Sequence, residues 1–141
     1  MSELARIEVV LFLREVELFQ FCDAEEILRI ASIAQECRFA AGETIFNAND
    51  PSDALYAVVE GRVRRDYPDN RVLTVGPRGS FGVLGILSGR LRSAGATAET
   101  DTLALSLEAE DFFDLLSNNV EIVKALFRQL TLGTTEAEEF E

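Results

Sequence analysis

An antiparallel β-barrel or jelly roll with helices at both ends is the fold class that the sequence predicts. Three observations carry it. Short β-prone segments follow one another from Thr44 to Leu107, separated by dense turn clusters. Thr102–Leu107 alternates strictly, with Leu103, Leu105 and Leu107 on one face and Thr102, Ala104 and Ser106 on the other. Helical periodicity is confined to the two ends of the chain.

The elements follow in order. Leu4, Ile7, Val10 and Leu11 fall at helical spacing and predict a helix over 3–14. Asp23 with Glu26 has the form of a capping box and starts a second helix. Its stripe of Ile27, Leu28, Ile30, Ala31 and Ala34 runs to about Glu36. After Gly42 the pattern changes to strands at Thr44–Phe46 and Ala54–Glu60. The run 47–53 between them is a turn, with Asn49 suited to a left-handed position. Arg62–Tyr67 and Arg71–Val75 flank a turn at Pro68-Asp69-Asn70. The segment 76–82 leads into a short apolar helix at Val83–Leu87, closed by Ser88-Gly89, and strands resume at Ser93. Glu108–Leu116 reads as a helix with an acidic first turn. Asn118 or Asn119 caps the last helix, whose stripe is Val120, Val123, Phe127 and Leu130 and whose stop is Gly133. Residues 134–141 read as an acidic tail. One domain is expected over 1–141: N-terminal helices to 36, the roll over 37–107, closing helices over 108–133.

Composition narrows the chemistry. With 141 residues and 48% apolar content the chain suits one core. It holds no histidine, which removes imidazole metal ligands and the usual base of a serine or cysteine nucleophile. No catalytic residue, metal site or cofactor is therefore expected. No apolar run approaches bilayer length and no basic segment precedes Val9–Leu13, so neither a membrane span nor a signal peptide is read, and a cytoplasmic location is expected. There Cys22 and Cys37 would stay free thiols, a disulfide being the alternative. The net charge of −12 argues against a nucleic-acid surface. Charge is uneven, however. From Arg62 to Arg92 seven arginines face only Asp66 and Asp69, a local balance of +5 that leaves −17 elsewhere. Most of the seven read as exposed strand positions, and one or two as facing a bound anion.

The segment 79–95 carries the chemistry. Gly79 and Gly82 flank the start of a helix whose first N–H groups have no partner inside it. Arg92, beyond the Ser88-Gly89 bend, could clamp a phosphate at two points. The bland alternative is a turn and a helical plug, with Arg92 on the surface.

The order Gly-Glu-Thr-Ile-Phe at 42–46, Asp53–Gly61, Gly79-Ser80-Phe81-Gly82 and Arg92-Ser93-Ala94 resembles the cyclic-nucleotide-binding domain family of catabolite activators and protein-kinase regulatory subunits. The resemblance runs from about Val10 to Leu130. It implies an eight-stranded jelly roll with a phosphate-binding cassette near 79–95. It also implies phosphate contacts from Gly82, Val83, Leu84, Arg92, Ser93 and Ala94, and cAMP or cGMP as ligand. An effector domain or partner protein is implied as well.

Two positions depart from the family. Val83 stands where a glutamate usually meets the ribose hydroxyl, and Gly95 stands at the base side. Losing one charge-assisted bond of about 1.5–3 kcal/mol would weaken binding roughly ten- to hundredfold. On that alignment Val83→Glu would restore affinity. Two readings follow: a regulatory module for a cyclic nucleotide or other small phosphate-bearing anion, and a degenerate domain kept for interaction or structure. Transcription factors of the family carry a helix-turn-helix after the last helix. The eight residues after Gly133 are too few for one, so DNA binding is not expected of this chain, whether it stands alone or is part of a longer protein.

Overall fold

The computed structural model describes residues 4–133. The chain opens with α1 (Arg6–Leu13), a 3-10 turn (Glu17–Phe19) and α2 (Ala24–Ile33). The helix expected over 3–14 is shorter, and its start falls partly outside the described residues. The capping box forms as read. Asp23 Oδ1 accepts from the Glu26 N–H at 2.9 Å, and Glu26 Oε1 accepts from the Asp23 N–H at 2.8 Å. Asp23→Ala is expected to cost about 1 kcal/mol, seen as a lowered urea midpoint with unchanged slope. An unchanged midpoint would show the cap to be dispensable.

Eight strands follow, in two four-stranded antiparallel sheets. β1 (Ala34–Phe39), β8 (Thr102–Glu108), β3 (Ala54–Glu60) and β6 (Ser80–Phe81) form one sheet in that order. β2 (Thr44–Phe46), β7 (Gly95–Ala98), β4 (Val63–Asp66) and β5 (Val72–Val75) form the other. This is the predicted jelly roll, mainly β with flanking helices. The second helix stops at Ile33 and not at Glu36, because Ala34–Glu36 already pair with Leu107–Leu105. Between β6 and β7 lies α3 (Val83–Ser88). The chain then closes with α4 (Ala109–Ser117), α5 (Val120–Arg128) and a π-helical turn (Gln129–Gly133). Asn119 is the cap position of α5. Gly133 ends the π turn and does not stop the α-helix. The acidic tail lies outside the described residues.

The apolar core is divided by the first sheet. Leu55, Ala57, Leu105 and Leu107 turn outward against the helices, where they join Leu13, Phe19, Ile27, Ile30, Phe112 and Ile122. Phe46, Val58, Val63, Phe81 and Ala96 fill the space between the sheets, with Tyr56 partly buried beside them. Strand β8 is therefore covered on both faces, and Thr102 and Ala104 are as buried as the leucines. A period-two pattern reports only which residues share a face, and here the second face meets the other sheet.

The stripes read for the outer helices needed correction. Ile7, Leu11, Val120 and Phe127 are exposed, and Val10, Val123 and Leu130 only half-buried. The inward faces are Leu13 on α1 and Ile122, Ala125 and Leu126 on α5. Both helices are apolar on more than one side, so spacing alone could not choose. No helix among the described residues is long and apolar enough to cross a membrane. Asn49 adopts positive φ as expected, at 73°, and so do Asn70 and Arg78, at 71° and 74°. For Arg78 the left-handed state costs about 1–2 kcal/mol. It is held by its N–H on Val58 O at 2.9 Å and by its carbonyl accepting from the Glu17 N–H at 3.2 Å.

Candidate functional site

The cassette-like segment runs from β6 through α3 into β7. Gly82, at φ 102°, is the residue before α3, and Gly89, at φ 68°, closes that helix. Gly82 is required twice over. A side chain there would be strained, and its Cβ would stand 2.7 Å from Arg92 Nη1 and 3.0 Å from Ala54 O. Arg92 therefore lies directly against the backbone at the start of α3.

The turn over 47–53 fixes the other side of Arg92. The Asn49 N–H donates to Arg92 O and the Arg92 N–H to Asp50 O, both at 2.8 Å, while Ser52 Oγ donates to Arg90 O at 2.7 Å. The guanidinium is 2% exposed. Its Nη2 donates to Ala54 O at 2.7 Å and to Asp53 Oδ1 at 3.2 Å. Its carbon sits 4.0 Å from the centre of the Phe46 ring. Nε and Nη1 are buried without a hydrogen-bond partner. Burial pulls the pKa of Arg92 below its usual value, and neighbouring Asp53 opposes that shift. The surface alternative for Arg92 fails. The guanidinium also points inward onto Phe46 instead of into an open pocket floored by α3.

The remaining predicted residues divide. Ser93 is half-buried and Ala94 fully buried beside Arg92. Leu84 is half-buried and packs against the helix-side apolar cluster. Val83 is wholly buried within that cluster, together with Ile86. Its side chain packs in the cluster shared with the helices, at the position where the family alignment puts a ribose-contacting carboxylate. Gly95 opens β7, and its carbonyl is used internally, as described next.

The sequence reading missed Arg65 as an individual. It is 1% exposed, with Nε donating to Gly95 O at 3.1 Å and Nη2 to Ala94 O at 3.3 Å. Its guanidinium carbon lies 5.3 Å from the Phe46 ring centre and 5.1 Å from that of Phe81. Strand alternation held the signal: Arg65 shares a face with Val63, which turns into the roll. So two of the seven arginines are buried, and both lie at one aromatic ring. Cys22 and Cys37 are free, half-buried thiols. Burial, the main cause in each case, raises their pKa values to about 12 and about 11, which makes them poor nucleophiles at neutral pH. Among the described residues no group of three or more aspartates, glutamates and cysteines could hold a metal ion.

Comparison with known proteins adds to this geometry. Residues 36–119 match the family described as the cyclic nucleotide-binding domain. The chain is similar to an NTE-family protein of Mycobacterium bovis, at 31% identity over 119 residues, covering 84% of this chain and 20% of that one. It is also similar to a CRP-like cAMP-activated global transcriptional regulator of Mycobacterium tuberculosis, at 31% identity, covering 80% of this chain and 53% of the regulator. Among solved structures, the N-terminal domain of a transcriptional regulator from Streptomyces coelicolor A3(2) superposes with a TM-score of 0.74 at 33% identity. That match covers 84% of this chain and 89% of the domain. The chain thus spans from about a fifth to about half the length of these curated relatives.

Proposed function

The chain belongs to the cyclic nucleotide-binding domain family, and from that premise we propose that it is a regulatory module that binds a small phosphate-bearing ligand through Arg92. One observation carries this reading. Arg92 is buried against the start of α3 with Nε and Nη1 unpaired. Unpaired buried donors on a cation are costly, and an anion supplies the acceptors they lack. The N–H groups of the first α3 turn lie beside it and have no intrahelical acceptor. cAMP and cGMP are the first ligands to test, in a cytoplasmic setting.

The output is expected at α5, toward an effector domain or partner protein. Val120 and Phe127 are exposed there, and Leu87, Leu116, Val123, Leu126, Phe127 and Leu130 line a cavity of about 330 Å³. Ligand can move α5 only by binding its two positions with different affinity. The module is read as non-catalytic, since the sequence lacks histidine. The net charge of −12 sets this stretch itself against DNA contact.

A degenerate, ligand-free domain is the second reading. It is favoured by the inward bonding of Arg92 to Ala54 O and Asp53 and by the burial of Val83 among apolar residues. Native mass spectrometry of freshly purified protein, followed by calorimetric titration with cAMP and cGMP, separates the two. A co-purifying phosphate-bearing ligand or a saturable heat supports the module. Bare protein with no heat from either nucleotide supports the degenerate domain.

A further inference from the structure

Arg92 is anchored at one nitrogen. Nη2 donates to Ala54 O and to Asp53 Oδ1, whereas Nε and Nη1 have no hydrogen-bond partner. A planar guanidinium held at one corner can still tilt about it, so a further contact is needed to fix its plane. The Phe46 ring makes that contact, with its centre 4.0 Å from the guanidinium carbon. The ring is itself wedged by Phe81 and Tyr56, at centroid distances of 5.9 and 6.2 Å and tilts of 55° and 37°. Strand β2 slips register against β7 between Thr44 and Phe46, an irregularity of the kind that re-aims a side chain.

A ring on the face of a guanidinium attracts the cation yet leaves its in-plane N–H groups free, whereas a carbonyl or carboxylate would occupy them. An aliphatic side chain would fill the same space without that attraction. We propose that Phe46 is a positioning residue for Arg92: its ring fixes the plane of the buried guanidinium, so that Nε and Nη1 are oriented for a phosphate group before it arrives. This role rests on the reading of Arg92 as the phosphate contact. Orienting the guanidinium in advance lowers the ordering cost of binding, and Phe46 contributes to affinity only through Arg92. Arg65 approaches the same ring, at 5.3 Å, but it also meets Phe81, at 5.1 Å. That second contact tells the two arginines apart.

The test is calorimetric titration with cAMP of proteins that carry monofluorinated or trifluorinated phenylalanine in place of Phe46. Fluorine draws charge from the face of the ring and nearly keeps its shape, so the pull on a cation falls while packing changes little. Affinity for cAMP is expected to drop stepwise with fluorine number, to severalfold below wild type in the trifluorinated protein, with the urea midpoint nearly unchanged. Phe46→Leu should lose as much or more. The same fluorination of Phe81, which weakens a ring contact of Arg65, should leave cAMP affinity unchanged. If Arg92→Ala abolishes cAMP binding while fluorination of Phe46 has no effect, Phe46 only fills space, and the phosphate role of Arg92 stands without it. Equal losses from fluorinating Phe46 and Phe81 would likewise overturn the positioning role. If neither cAMP nor cGMP binds wild type, the phosphate reading of Arg92 falls, and the role of Phe46 with it.

Discussion

Val83→Glu is expected to destabilise the protein by about 3 kcal/mol or more and to leave cyclic-nucleotide affinity no higher. Family likeness alone puts a carboxylate here beside the ligand's sugar. In this fold the Val83 side chain is wholly buried in the cluster that holds Leu105, Phe112 and Ile122. A glutamate would place a carboxyl among side chains that offer it no donors. The positive end of α3 returns no more than about 1 kcal/mol of that cost. Burial also raises the folded pKa of such a carboxyl above its unfolded value. The folded variant then binds protons more readily than the unfolded chain, so its stability deficit should shrink as pH falls and be larger at pH 8 than at pH 5. Urea melts at both values, beside wild type, make the measurement. A variant as stable as wild type that also binds cAMP more tightly would put this side chain on the ligand side.

What the sequence showed and what it hid have separable physical causes. The strands from Thr44 to Val75, the capping box and the left-handed Asn49 depend on local chemistry, and they were readable residue by residue. The glycine before α3 was readable for the same reason. Its positive φ and the approach of Arg92 leave no room for a side chain. Which face of a helix turns inward is a tertiary matter. Along α5, Val120 and Phe127 are as apolar as Ile122 and Leu126, yet only the latter pair is buried. The same limit hid Arg65. Its inward direction followed from Val63, but its value lies in meeting Phe46, Phe81 and the carbonyl groups of Ala94 and Gly95, which come from three other parts of the chain. Val83 shows the converse. A motif fixes the position of a residue in the chain, while the packing around it decides where its side chain points.

Arg92→Ala is expected to lower affinity for a phosphate-bearing ligand about a hundredfold or more, because a two-point, charge-assisted clamp is lost. Its effect on the fold should be small, within about 1 kcal/mol, because the losses and gains offset. Ala54 O loses a donor and the Phe46 ring loses a cation. Against that, the interior is relieved of a buried charge with two unpaired nitrogens. The main-chain bonds to Asn49 and Asp50 do not depend on the side chain and remain. Arg92→Lys keeps the charge but not the planar fork, and should fall between, about tenfold below wild type. Ligand titrations and urea melts on the same preparations separate the two roles. Loss of affinity with an unchanged melt marks a residue kept for the ligand at little benefit to the fold. A large drop in stability would instead make Arg92 an internal strut, bonded to Ala54 and stacked on Phe46, and would favour the ligand-free reading of the domain.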